Sequence, residues 1–475
     1  MRSDYVPRLP RQSAGAAELA RSITSDIRSG RLRAGVRLPG SRSLAERLGV
    51  SRSTVVRAYA ELVAEGWLAS RPGSGMVVVE VEDAPLRHGR TPSGTGFSLP
   101  PLPHRTPLQA PVPDCRYRME GGTPDLRLLP LEELARAYRR VLRGRGRRLV
   151  DYGDPAGEPR LRQVLSTWLA ETRGLADEPD RLIALRGSQM CLSLVARAVV
   201  RPGDKVGVEA LGYAPAWGAL EAAGARLVGV PVDEDGLRVD LLPDDLRAVY
   251  VTPHHQYPTT ALMSAPRRMA LLRWAAERRV PVLEDDYDHE FHFGGRPVLP
   301  LASMDRAGVV VYIGTLSKAF APGLRLGWVV GPPALVERLA ALRRLVDRQG
   351  DRVVELAVAD LLEDGTIPRH IRRMRREYAT RRAHLLGLLE GSPLRPRPTS
   401  GGLALWCHSA LDPEAWSRAA LRKGVFVRTE RAFRLDARPG PHLRLGYAGL
   451  DTTELTDAIG RLRSVERGVR IHLLH

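Results

Sequence analysis

One short segment of the sequence places a lysine, two hydroxyl side chains and an arginine close together. Lys318 follows Thr315 and Ser317 at the end of an apolar run, and Arg325 comes seven residues later. A lysine that forms a Schiff base needs a desolvated position, because desolvation lowers the pKa of its amine. The hydroxyls and the arginine are suitable donors to a phosphate dianion. The segment therefore predicts a Schiff-base lysine beside a phosphate, with an ordinary surface lysine as the alternative.

A second group of reactive side chains follows an apolar run farther upstream. Glu284, Asp285, Asp286 and Asp288 place four carboxylates within five residues, around Tyr287. Such a cluster is a candidate oxygen site for Mg²⁺ or Ca²⁺. The alternative is that one carboxylate pairs with a protonated pyridine nitrogen while the tyrosine hydroxyl lies near a ring oxygen, as a pyridoxal phosphate site requires. We favour the pyridine partner and predict no bound metal.

The composition makes Lys318 more informative. The 475 residues include 72 Lys+Arg and 54 Asp+Glu, for a formal net charge of +18, yet only three of the basic residues are lysines and asparagine is absent. This pattern indicates GC-rich codon bias, so the charge alone does not identify a nucleic-acid-binding protein. With 43% hydrophobic and 27% charged residues, the chain is expected to fold into two or three globular domains.

Simple patterns exclude several classes of protein. Cys115, Cys191 and Cys407 are far apart and lack the close spacing of a zinc site or a disulfide framework. No apolar run reaches the roughly 18 residues that a transmembrane helix requires, and the N-terminus lacks the apolar segment of a signal peptide. We therefore expect a cytoplasmic protein that has no membrane partner.

The elements that must position the reactive side chains alternate between strands and helices. Short β-rich runs are predicted at 182–185, 205–208, 226–230, 248–252, 280–284, 309–313 and 327–330. Helical stretches such as 265–279 separate several of them, which predicts a mostly parallel α/β sheet that binds ligands at the carboxyl ends of its strands. Later strand-like runs and a terminal helix predict a smaller α+β domain; they lie at 402–406, 425–428, 442–446 and from 453 onward.

The N-terminal segment has a different pattern. A short helix is predicted at 43–48, followed by a turn and a second helix at 51–65 with Ser51 as its N-cap. The apolar face of the second helix consists of Val55, Tyr59, Leu62 and Val63, and its polar face of Ser53, Thr54 and Arg57. A helix of this kind fits the major groove of DNA, and a β-hairpin wing is predicted after it. A small solvated helical hairpin is the alternative.

The order of residues between 38 and 75 favours DNA binding. The segment "LPGSRSLAERLGVSRSTVVRAYAELVAEGWLASRPGSG" resembles the winged helix-turn-helix of GntR-type bacterial regulators over nearly its whole length. The resemblance implies operator double-stranded DNA as a partner. It also implies the contact residues, which are Arg42, Ser51, Arg52, Ser53, Thr54, Arg57 and, at the tip of the wing, Gly73.

The rest of the chain is similar to a second known family. The segments "YVTPHHQYPTT", "LEDDYDHEF" and "GTLSKAFAPGLRLGW" look like a fold-type I aminotransferase domain. A stretch with eight of the 37 prolines, residues 83–114, separates the two parts and is predicted to be a linker. The whole chain thus resembles the MocR family of regulators, with a winged helix-turn-helix domain at 1–82 and an aminotransferase-like domain at 115–475. The implied fold is a large α/β domain with a smaller C-terminal α+β domain.

The resemblance also implies a cofactor, pyridoxal 5'-phosphate, and its binding residues. Lys318 matches the Schiff-base lysine, Asp285 the partner of the pyridinium nitrogen, and Tyr287 the hydroxyl near the ring oxygen. Tyr213 matches the aromatic residue that stacks on the ring. The residues that match the phosphate-binding positions are Ser188, Gln189, Ser317 and Arg325.

Two further residues extend the implied site. Tyr152, in "DYGDPAGEPRLR", resembles a tyrosine that reaches the cofactor phosphate of the partner subunit, which implies a homodimer. Arg444, in "LRLGYAGL", matches the arginine that binds an α-carboxylate, a bidentate task suited to Arg. The implied ligand at that position is an amino compound.

Three departures from the aminotransferase pattern bear on function. Tyr257 stands where aminotransferases have the asparagine that bonds the ring oxygen, and Thr260 replaces the glycine of "PTG". Residues 214–225 contain no arginine, so the second arginine of the GABA-responsive type has no counterpart and GABA is a poor candidate effector. These departures favour a regulator over an efficient enzyme.

The sequence therefore predicts a transcriptional regulator that binds operator DNA and senses pyridoxal phosphate, an amino compound or both, without efficient turnover. The main alternative is a working aminotransferase with an autoregulatory DNA-binding module. A second alternative is a repressor whose aminotransferase-like domain is only a dimerisation scaffold. Seven arginines at 368–382 form either a solvated helix face or a supplementary surface for DNA or another subunit.

Overall fold

The structure is a computed structural model of the full chain. It describes residues 5–7, 15–72, 75–80, 95, 97–99, 113–295, 298–466 and 468–469. Two compact units are present, Met1–Pro100 and Pro101–His475, and each is described by itself. Most of the predicted linker, 83–114, lies outside the described residues. The domain limits at 82 and 115 therefore stay predictions.

The first unit is a three-helix module followed by a hairpin. Its elements are α1 (Ala16–Arg28), α2 (Ser41–Leu48), α3 (Arg52–Ala64), β1 (Leu68–Arg71) and β2 (Gly75–Val78). Gly49 ends α2 in the left-handed conformation (φ 64°) that glycine adopts at low cost. Ser51 caps α3, because its hydroxyl accepts a hydrogen bond from the backbone N–H of Thr54 (3.1 Å).

The core of this unit lies under one face of α3, with one change from the prediction. Val55, Tyr59 and Leu62 are buried, and Ala58 joins them. Val63 is 38% exposed, so its assignment to the apolar face was wrong. At about 100° per residue, Ala58, Leu62, Val55 and Tyr59 form the buried stripe, and Val63 lies about 40° beyond its Tyr59 edge, on the side that faces solvent.

The second unit contains all the remaining helices and strands of the described residues. Its helices are α4 (Leu131–Arg145), α5 (Pro159–Arg173), α6 (Gly187–Val199), α7 (Ala214–Ala222), α8 (Ala265–Arg278), α9 (Leu301–Met304), α10 (Pro333–Val346), α11 (Arg352–Glu363), α12 (Thr366–Leu389), α13 (Pro413–Arg422) and α14 (Thr452–Ser464). Its first strands are β3 (Tyr117–Arg118), β4 (Leu182–Leu185), β5 (Lys205–Glu209), β6 (Arg226–Val230), β7 (Val232–Asp233), β8 (Gly236–Leu237), β9 (Ala248–Val251) and β10 (Val282–Asp286). The later strands are β11 (Val310–Thr315), β12 (Gly327–Val330), β13 (Leu394–Pro396), β14 (Ala404–Ser409), β15 (Val425–Phe426), β16 (Arg428–Thr429) and β17 (His442–Gly446).

A seven-stranded sheet in the order β4-β12-β11-β10-β9-β5-β6 is the centre of this unit. β12 pairs antiparallel with both of its neighbours, and the other pairs are parallel. Nearly all residues of β4, β5, β9, β10 and β11 are buried, as expected for strands covered on both faces. The predicted mostly parallel α/β sheet is confirmed.

A second, smaller sheet follows in the chain. β13, β14, β17 and β16 form it in that order, and every pair in it is antiparallel. Its core includes the buried aromatic residues Tyr378, Trp416 and Tyr447. The predicted smaller α+β domain is confirmed. Within the described residues, no helix is both long and apolar enough to cross a membrane.

Candidate functional site

The chain topology brings the predicted reactive residues to one edge of the large sheet. Asp285 lies near the end of β10, and Lys318 follows the end of the adjacent parallel strand β11. Because β12 runs antiparallel, its beginning lies at the same edge, and Arg325 precedes it by two residues. Ser188 lies at the start of α6, directly after β4. Loops at the carboxyl ends of parallel strands form ligand sites in this way.

Asp285 is the best-defined member of the site. The hydroxyl of Tyr250 donates to Asp285 Oδ2 (2.8 Å), while the buried Oδ1 has no hydrogen-bond partner within the described part of the chain. Burial raises the pKa of Asp285 to about 7, against the lowering effect of the Tyr250 hydrogen bond. One oxygen is therefore fixed by the protein, and the other is available to a ligand.

Lys318 is largely enclosed, and its amine lies close to a glycine. Burial and the positive charge of Arg444 lower its pKa, although the carboxylates of Asp288 and Asp285 oppose that effect. A Cβ added at Gly122 would lie 3.6 Å from Lys318 Nζ. A lowered pKa increases the fraction of neutral amine, which is the nucleophilic form.

A cradle for an anion lies beside Lys318. The backbone of Gly187 begins α6 with φ 75°, and a Cβ at this residue would lie 2.6 Å from the guanidinium of Arg325. Thr315 Oγ1 donates to Ser317 Oγ (2.9 Å), which places two hydroxyls next to the lysine. The free N–H groups of a helix N-terminus together with an arginine favour a phosphate.

The other two predicted phosphate-binding residues start α6. Ser188 and Gln189 are half-buried in its first turn. The side-chain amide of Gln189 donates to the carbonyl oxygen of Pro215 (2.9 Å), which ties α6 to the start of α7. The side chain of Gln189 is therefore engaged in holding the two helices, and its backbone N–H remains in the anion cradle.

Three tyrosine rings form one wall of the site. Tyr257 contacts Tyr213 and Tyr287 edge to face, at centroid distances of 5.3 and 5.9 Å. The hydroxyl of Tyr287 donates to the carbonyl oxygen of His255 (3.0 Å). Burial raises the pKa of both Tyr213 and Tyr287, so both rings are neutral phenols at ordinary pH.

Arg444 lies on the far side of this wall. Its guanidinium sits over the ring of Tyr257, 4.6 Å from the centroid, and Nη1 donates to the carbonyl oxygen of Glu120 (2.6 Å). The side chain is 1% exposed, and its Nε has no hydrogen-bond partner in the described residues. This arrangement leaves donors free for a carboxylate.

Tyr152 is the one proposed cofactor residue that lies apart from these. It is 71% exposed, and the guanidinium of Arg348 lies over its ring, 4.1 Å from the centroid. The structure of one chain does not bring it to the Lys318 site. Its predicted role concerns a second subunit and stays a prediction.

The acidic cluster is divided between different tasks. Glu284 accepts hydrogen bonds from the backbone N–H groups of Leu301 and Ala302, and Asp286 accepts one from Tyr312. Alternation along β10 places the side chain of Asp285 on the opposite face from these two. Only Asp285 of the three strand residues is therefore available as a partner for a pyridine nitrogen.

Sequence reasoning missed Tyr250, which orients Asp285, and Gly122, which leaves room for the lysine. Tyr250 lies in the middle of the fully buried strand β9. A buried tyrosine hydroxyl needs a hydrogen-bond partner, and that requirement was the available signal. Gly122 had no comparable signal in its own segment.

The predicted DNA contacts lie on the first unit. Arg42, Ser51, Arg52, Ser53 and Arg57 are exposed, and Thr54 is half-buried. The hydroxyl of Ser51 lies 2.8 Å from those of Ser53 and Thr54, so the start of α3 carries a compact group of hydroxyls. Gly73 lies outside the described residues, although β1 and β2 on either side of it pair antiparallel, as a wing requires.

Comparison with family models divides the chain into the same two parts. Residues 16–78 match the family described as bacterial regulatory proteins, gntR family. Residues 121–462 match aminotransferase class I and II.

Several curated proteins match almost the whole chain. The probable rhizopine catabolism regulatory protein MocR of Rhizobium meliloti is 34% identical over 94% of this chain and 92% of its own length. The pyridoxine biosynthesis transcriptional regulator PdxR of Corynebacterium glutamicum is 33% identical over 81% of each chain. The transcriptional regulator TauR of Rhodobacter capsulatus is 31% identical over 94% of this chain and 95% of its own.

Solved structures match the second unit. The α-aminoadipate aminotransferase LysN of Thermus thermophilus, complexed with N-(5'-phosphopyridoxyl)-L-leucine, is 29% identical and covers 74% of this chain and 92% of its own, with a TM-score of 0.69. The kynurenine aminotransferase of Pyrococcus horikoshii, in a complex with PMP, is 27% identical over 75% of this chain and 91% of its own, also with a TM-score of 0.69.

Proposed function

This chain belongs to the MocR family of regulators, which join a GntR-type DNA-binding domain to an aminotransferase-like domain, and we propose that it senses an amino compound at Lys318. It is a pyridoxal-phosphate-dependent transcriptional regulator. The proposal adds the residues that hold the cofactor, the chemistry of the effector and the subunit arrangement.

The observation that carries the proposal is the half-satisfied carboxyl group of Asp285. A buried carboxylate oxygen without a partner is costly, because desolvation is not offset by a hydrogen bond. A protonated pyridine nitrogen supplies both the missing donor and the compensating charge. The residues therefore fit pyridoxal phosphate.

The remaining contacts follow from the site geometry. The phosphate of the cofactor is assigned to the first turn of α6, where Ser188 and Gln189 lie, and to Ser317 and Arg325. Tyr213 is assigned to the face of the ring and Tyr287 to its oxygen substituent. When bound, pyridoxal phosphate supplies an aldehyde for an amine and a ring that withdraws electrons.

Lys318 is assigned to the aldehyde. Its lowered pKa leaves more of the amine neutral near pH 7 than an exposed lysine would have. Tyr250 holds the carboxylate of Asp285 toward the site, and this keeps the negative charge beside the ring nitrogen. The largely enclosed position of Lys318 would limit access of water to the amine when the cofactor is bound.

The effector is assigned to Arg444 and is therefore a compound with both an amino group and a carboxylate. Lys318 would hold the cofactor at the position that such an amino group approaches, and the guanidinium of Arg444 would bind the carboxylate. Residues 214–225 offer no second arginine, so an effector with a distal carboxylate or sulfonate lacks a partner there. We propose an α-amino acid with an uncharged side chain.

Slow turnover distinguishes this proposal from an aminotransferase function. Tyr257 occupies the position of the asparagine that bonds the ring oxygen in aminotransferases, and a phenol that stacks under Arg444 does not replace an amide. The presence of Lys318 and Asp285 favours the aminotransferase alternative. A half-reaction assay with a panel of amino acids separates the two, because conversion of the cofactor to its amine form on the scale of seconds supports the enzyme.

A homodimer is part of the proposal. Val150, two residues before Tyr152, is 83% exposed. Leu345 (84%) and Val346 (52%) are also exposed, and they shortly precede Arg348, the residue that lies over the Tyr152 ring. A monomer rarely leaves such a group in water, and a second copy of the chain would cover it. Sedimentation of the wild-type protein and of a Leu345→Glu variant tests this, and a wild-type monomer would contradict it.

The regulatory function is tested by DNA binding and spectroscopy together. The probe is the intergenic DNA upstream of the gene for this protein, titrated with and without pyridoxal phosphate and L-alanine. We expect the amino acid to change both the cofactor spectrum and the affinity for DNA, since coupling between two sites is reciprocal. A spectral change without any change in DNA affinity would contradict the sensor function.

A further inference from the structure

Four histidines form a buried cluster next to the cofactor site, and the proposed function uses none of them. His254 and His255 follow β9, whereas His289 and His292 follow β10, and all four are at most 4% exposed. The ring of His254 lies 4.5 Å from that of His255, 4.6 Å from that of His289 and 5.9 Å from that of His292, between centroids.

Several of their ring nitrogens have no partner among the described residues. Both nitrogens of His254, Nε2 of His255 and Nδ1 of His292 are buried without a hydrogen bond. A neutral imidazole has one N–H donor and one acceptor, so an unpartnered buried ring loses its hydration without compensation. Such a cost is unusual in a core, and here all four rings incur it, because Nε2 of His289 also lacks a partner among the described residues.

One nitrogen atom from each of His254, His255 and His292 lies within 4.8 Å of the others. Small side-chain rotations bring three such atoms to the distance of roughly 2.0 to 2.1 Å at which imidazole binds Zn²⁺. The three rings are thus suitable as ligands in position.

The surroundings of His255 complete the pattern of a metal site. Its Nδ1 lies 2.8 Å from Asp288 Oδ1, which directs Nε2 away from the carboxylate and toward the other rings. Metal-binding histidines commonly have a carboxylate partner of this kind on the second nitrogen. Gly401 leaves space on the same side, since a Cβ at that position would lie 2.7 Å from His255 Nε2.

We propose that His254, His255 and His292 bind a divalent first-row transition metal ion, with Zn²⁺ as the principal candidate. Imidazole ligands select zinc and its neighbours, and Mg²⁺ or Ca²⁺ would need oxygen ligands that this group lacks. The ion links the loop after β9 to the segment after β10. The hydroxyl of Tyr287 donates to the carbonyl oxygen of His255. An ion bound to His255 would therefore also stabilise the backbone that positions Tyr287.

A second set of potential ligands, His254, Asp286 and His289, is less suitable. Asp286 Oδ2 already accepts from the hydroxyl of Tyr312 and lies 3.0 Å from Nδ1 of His289. Arg173 adds a positive charge 3.9 Å away. These contacts already offset the negative charge of Asp286. We therefore do not assign Asp286 and His289 to the ion; the ring of His289 packs against that of His254.

The test uses the full-length protein with its cofactor. The protein is dialysed against EDTA, the chelator is removed, and Zn²⁺ or Co²⁺ is added back in a titration followed by elemental analysis and visible absorption. We expect about one ion per chain and, with Co²⁺, the intense visible bands of a tetrahedral site. Less than about a tenth of an equivalent, together with no cobalt bands, would overturn the proposal.

Two variants and a control locate the ion. We expect a double variant, His254→Gln with His292→Gln, to lose the cobalt bands. Asp288→Asn should weaken metal binding by about 10- to 100-fold, because it removes the carboxylate that orients His255 and leaves the three ligands in place. His408→Gln, at an exposed histidine of β14, is the matched control and should bind as the wild type does. Unchanged cobalt bands in the double variant would place the ion elsewhere. If that variant does not fold, the wild-type cobalt titration and Asp288→Asn decide.

Discussion

The pocket around Lys318 and helix α3 present their functional side chains in opposite ways. In the pocket, Asp285 is buried and one of its oxygens has no partner in the described residues. The desolvation of that oxygen is unfavourable until a ligand donates a hydrogen bond to it. On α3, Arg52 and Arg57 are exposed to solvent, and the helix is folded by the apolar residues on its other face. A small ligand therefore binds by supplying a hydrogen-bond partner to a buried group, whereas DNA would bind to charged side chains that are hydrated in the free protein.

This difference predicts that single substitutions have larger effects in the pocket than on the helix. A buried group acts without competition from water, and its loss removes an interaction that no neighbour replaces. An exposed arginine contributes one of several similar phosphate contacts. The following substitutions test that contrast, beginning with the largest expected effect.

Lys318→Ala should abolish the covalent attachment of the cofactor. In the spectrum of the purified protein, we expect the visible band of lysine-bound pyridoxal phosphate to disappear. Lys423→Ala, at an exposed lysine, is the matched control and should keep the band. Persistence of the band in the Lys318 variant would show that the site has been assigned to the wrong residue.

Asp285→Asn should weaken cofactor binding by about 10- to 150-fold, which corresponds to a charge-assisted hydrogen bond of about 1.5 to 3 kcal/mol. The affinity is measured by fluorescence titration with pyridoxal phosphate between pH 5.5 and 8.5. In the wild type, the pKa of Asp285 is raised to about 7 without the cofactor, so affinity should fall as the pH drops below that value and the carboxyl becomes protonated. The asparagine variant should lack this dependence.

Tyr250→Phe should have a smaller effect than Asp285→Asn in the same titration with pyridoxal phosphate. Loss of its hydrogen bond removes the contact that lowers the pKa of Asp285, so the decline in affinity should begin at a higher pH than in the wild type. The loss at neutral pH should be only about 2- to 10-fold, because a neutral hydroxyl contributes about 0.5 to 1.5 kcal/mol. An unchanged pH profile would contradict the orienting role of Tyr250.

Much of this arrangement could be predicted from sequence, because it depends on local patterns. β4, β6, β12 and β17 have the predicted bounds, and α8 ends one residue earlier than predicted. The local pattern alone could not divide the acidic cluster, and only the family resemblance singled out Asp285, since the partners of Glu284 and Asp286 come from distant segments. Nor did any pattern reveal the histidine cluster, because its members follow two different strands and meet only in the folded sheet.

The predicted site residues also differ in whether their contacts are local in the sequence or come from distant segments. Lys318 and Arg325 lie in one loop, so their spacing already indicated their proximity. The exposure of Tyr152 within one chain was not predictable from its motif, since the implied partner belongs to another subunit. Sequence order therefore gives candidates for the site, whereas long-range packing decides which of them are buried, oriented or left exposed.

Arg57→Ala should weaken binding to the intergenic DNA by about 5- to 150-fold if it contacts a base edge, in line with about 1 to 3 kcal/mol for such a contact. If it contacts a phosphate, the slope of log affinity against log salt should instead decrease by about 1. Fluorescence anisotropy at four salt concentrations distinguishes the two. Arg21→Ala, at an exposed arginine of α1, is the control. Equal effects of both variants would indicate general charge and not recognition by α3.

Substitutions on the arginine-rich helix α12 should have the smallest effect on DNA binding, because several of its arginines form hydrogen bonds or ion pairs within the second unit. Arg381 is buried and pairs with Asp125 (3.0 Å), so the sequence-based inclusion of Arg381 in one solvated or DNA-binding face was wrong. Arg373 donates to the carbonyl oxygen of Leu128, and Arg382 to that of Thr399. These contacts use the guanidinium groups inside the second unit.

Two exposed arginines of α12, Arg372 and Arg376, remain suitable for a supplementary DNA contact. We expect the double variant Arg372→Ala, Arg376→Ala to bind DNA within about 2-fold of the wild type with the same salt slope, because an exposed charge that contacts no phosphate is largely screened in about 0.15 M salt. Its stability should change by less than about 0.5 kcal/mol. A salt slope reduced by about 2 would contradict this expectation and add α12 to the DNA-binding surface, since each lost phosphate contact lowers the slope by about 1.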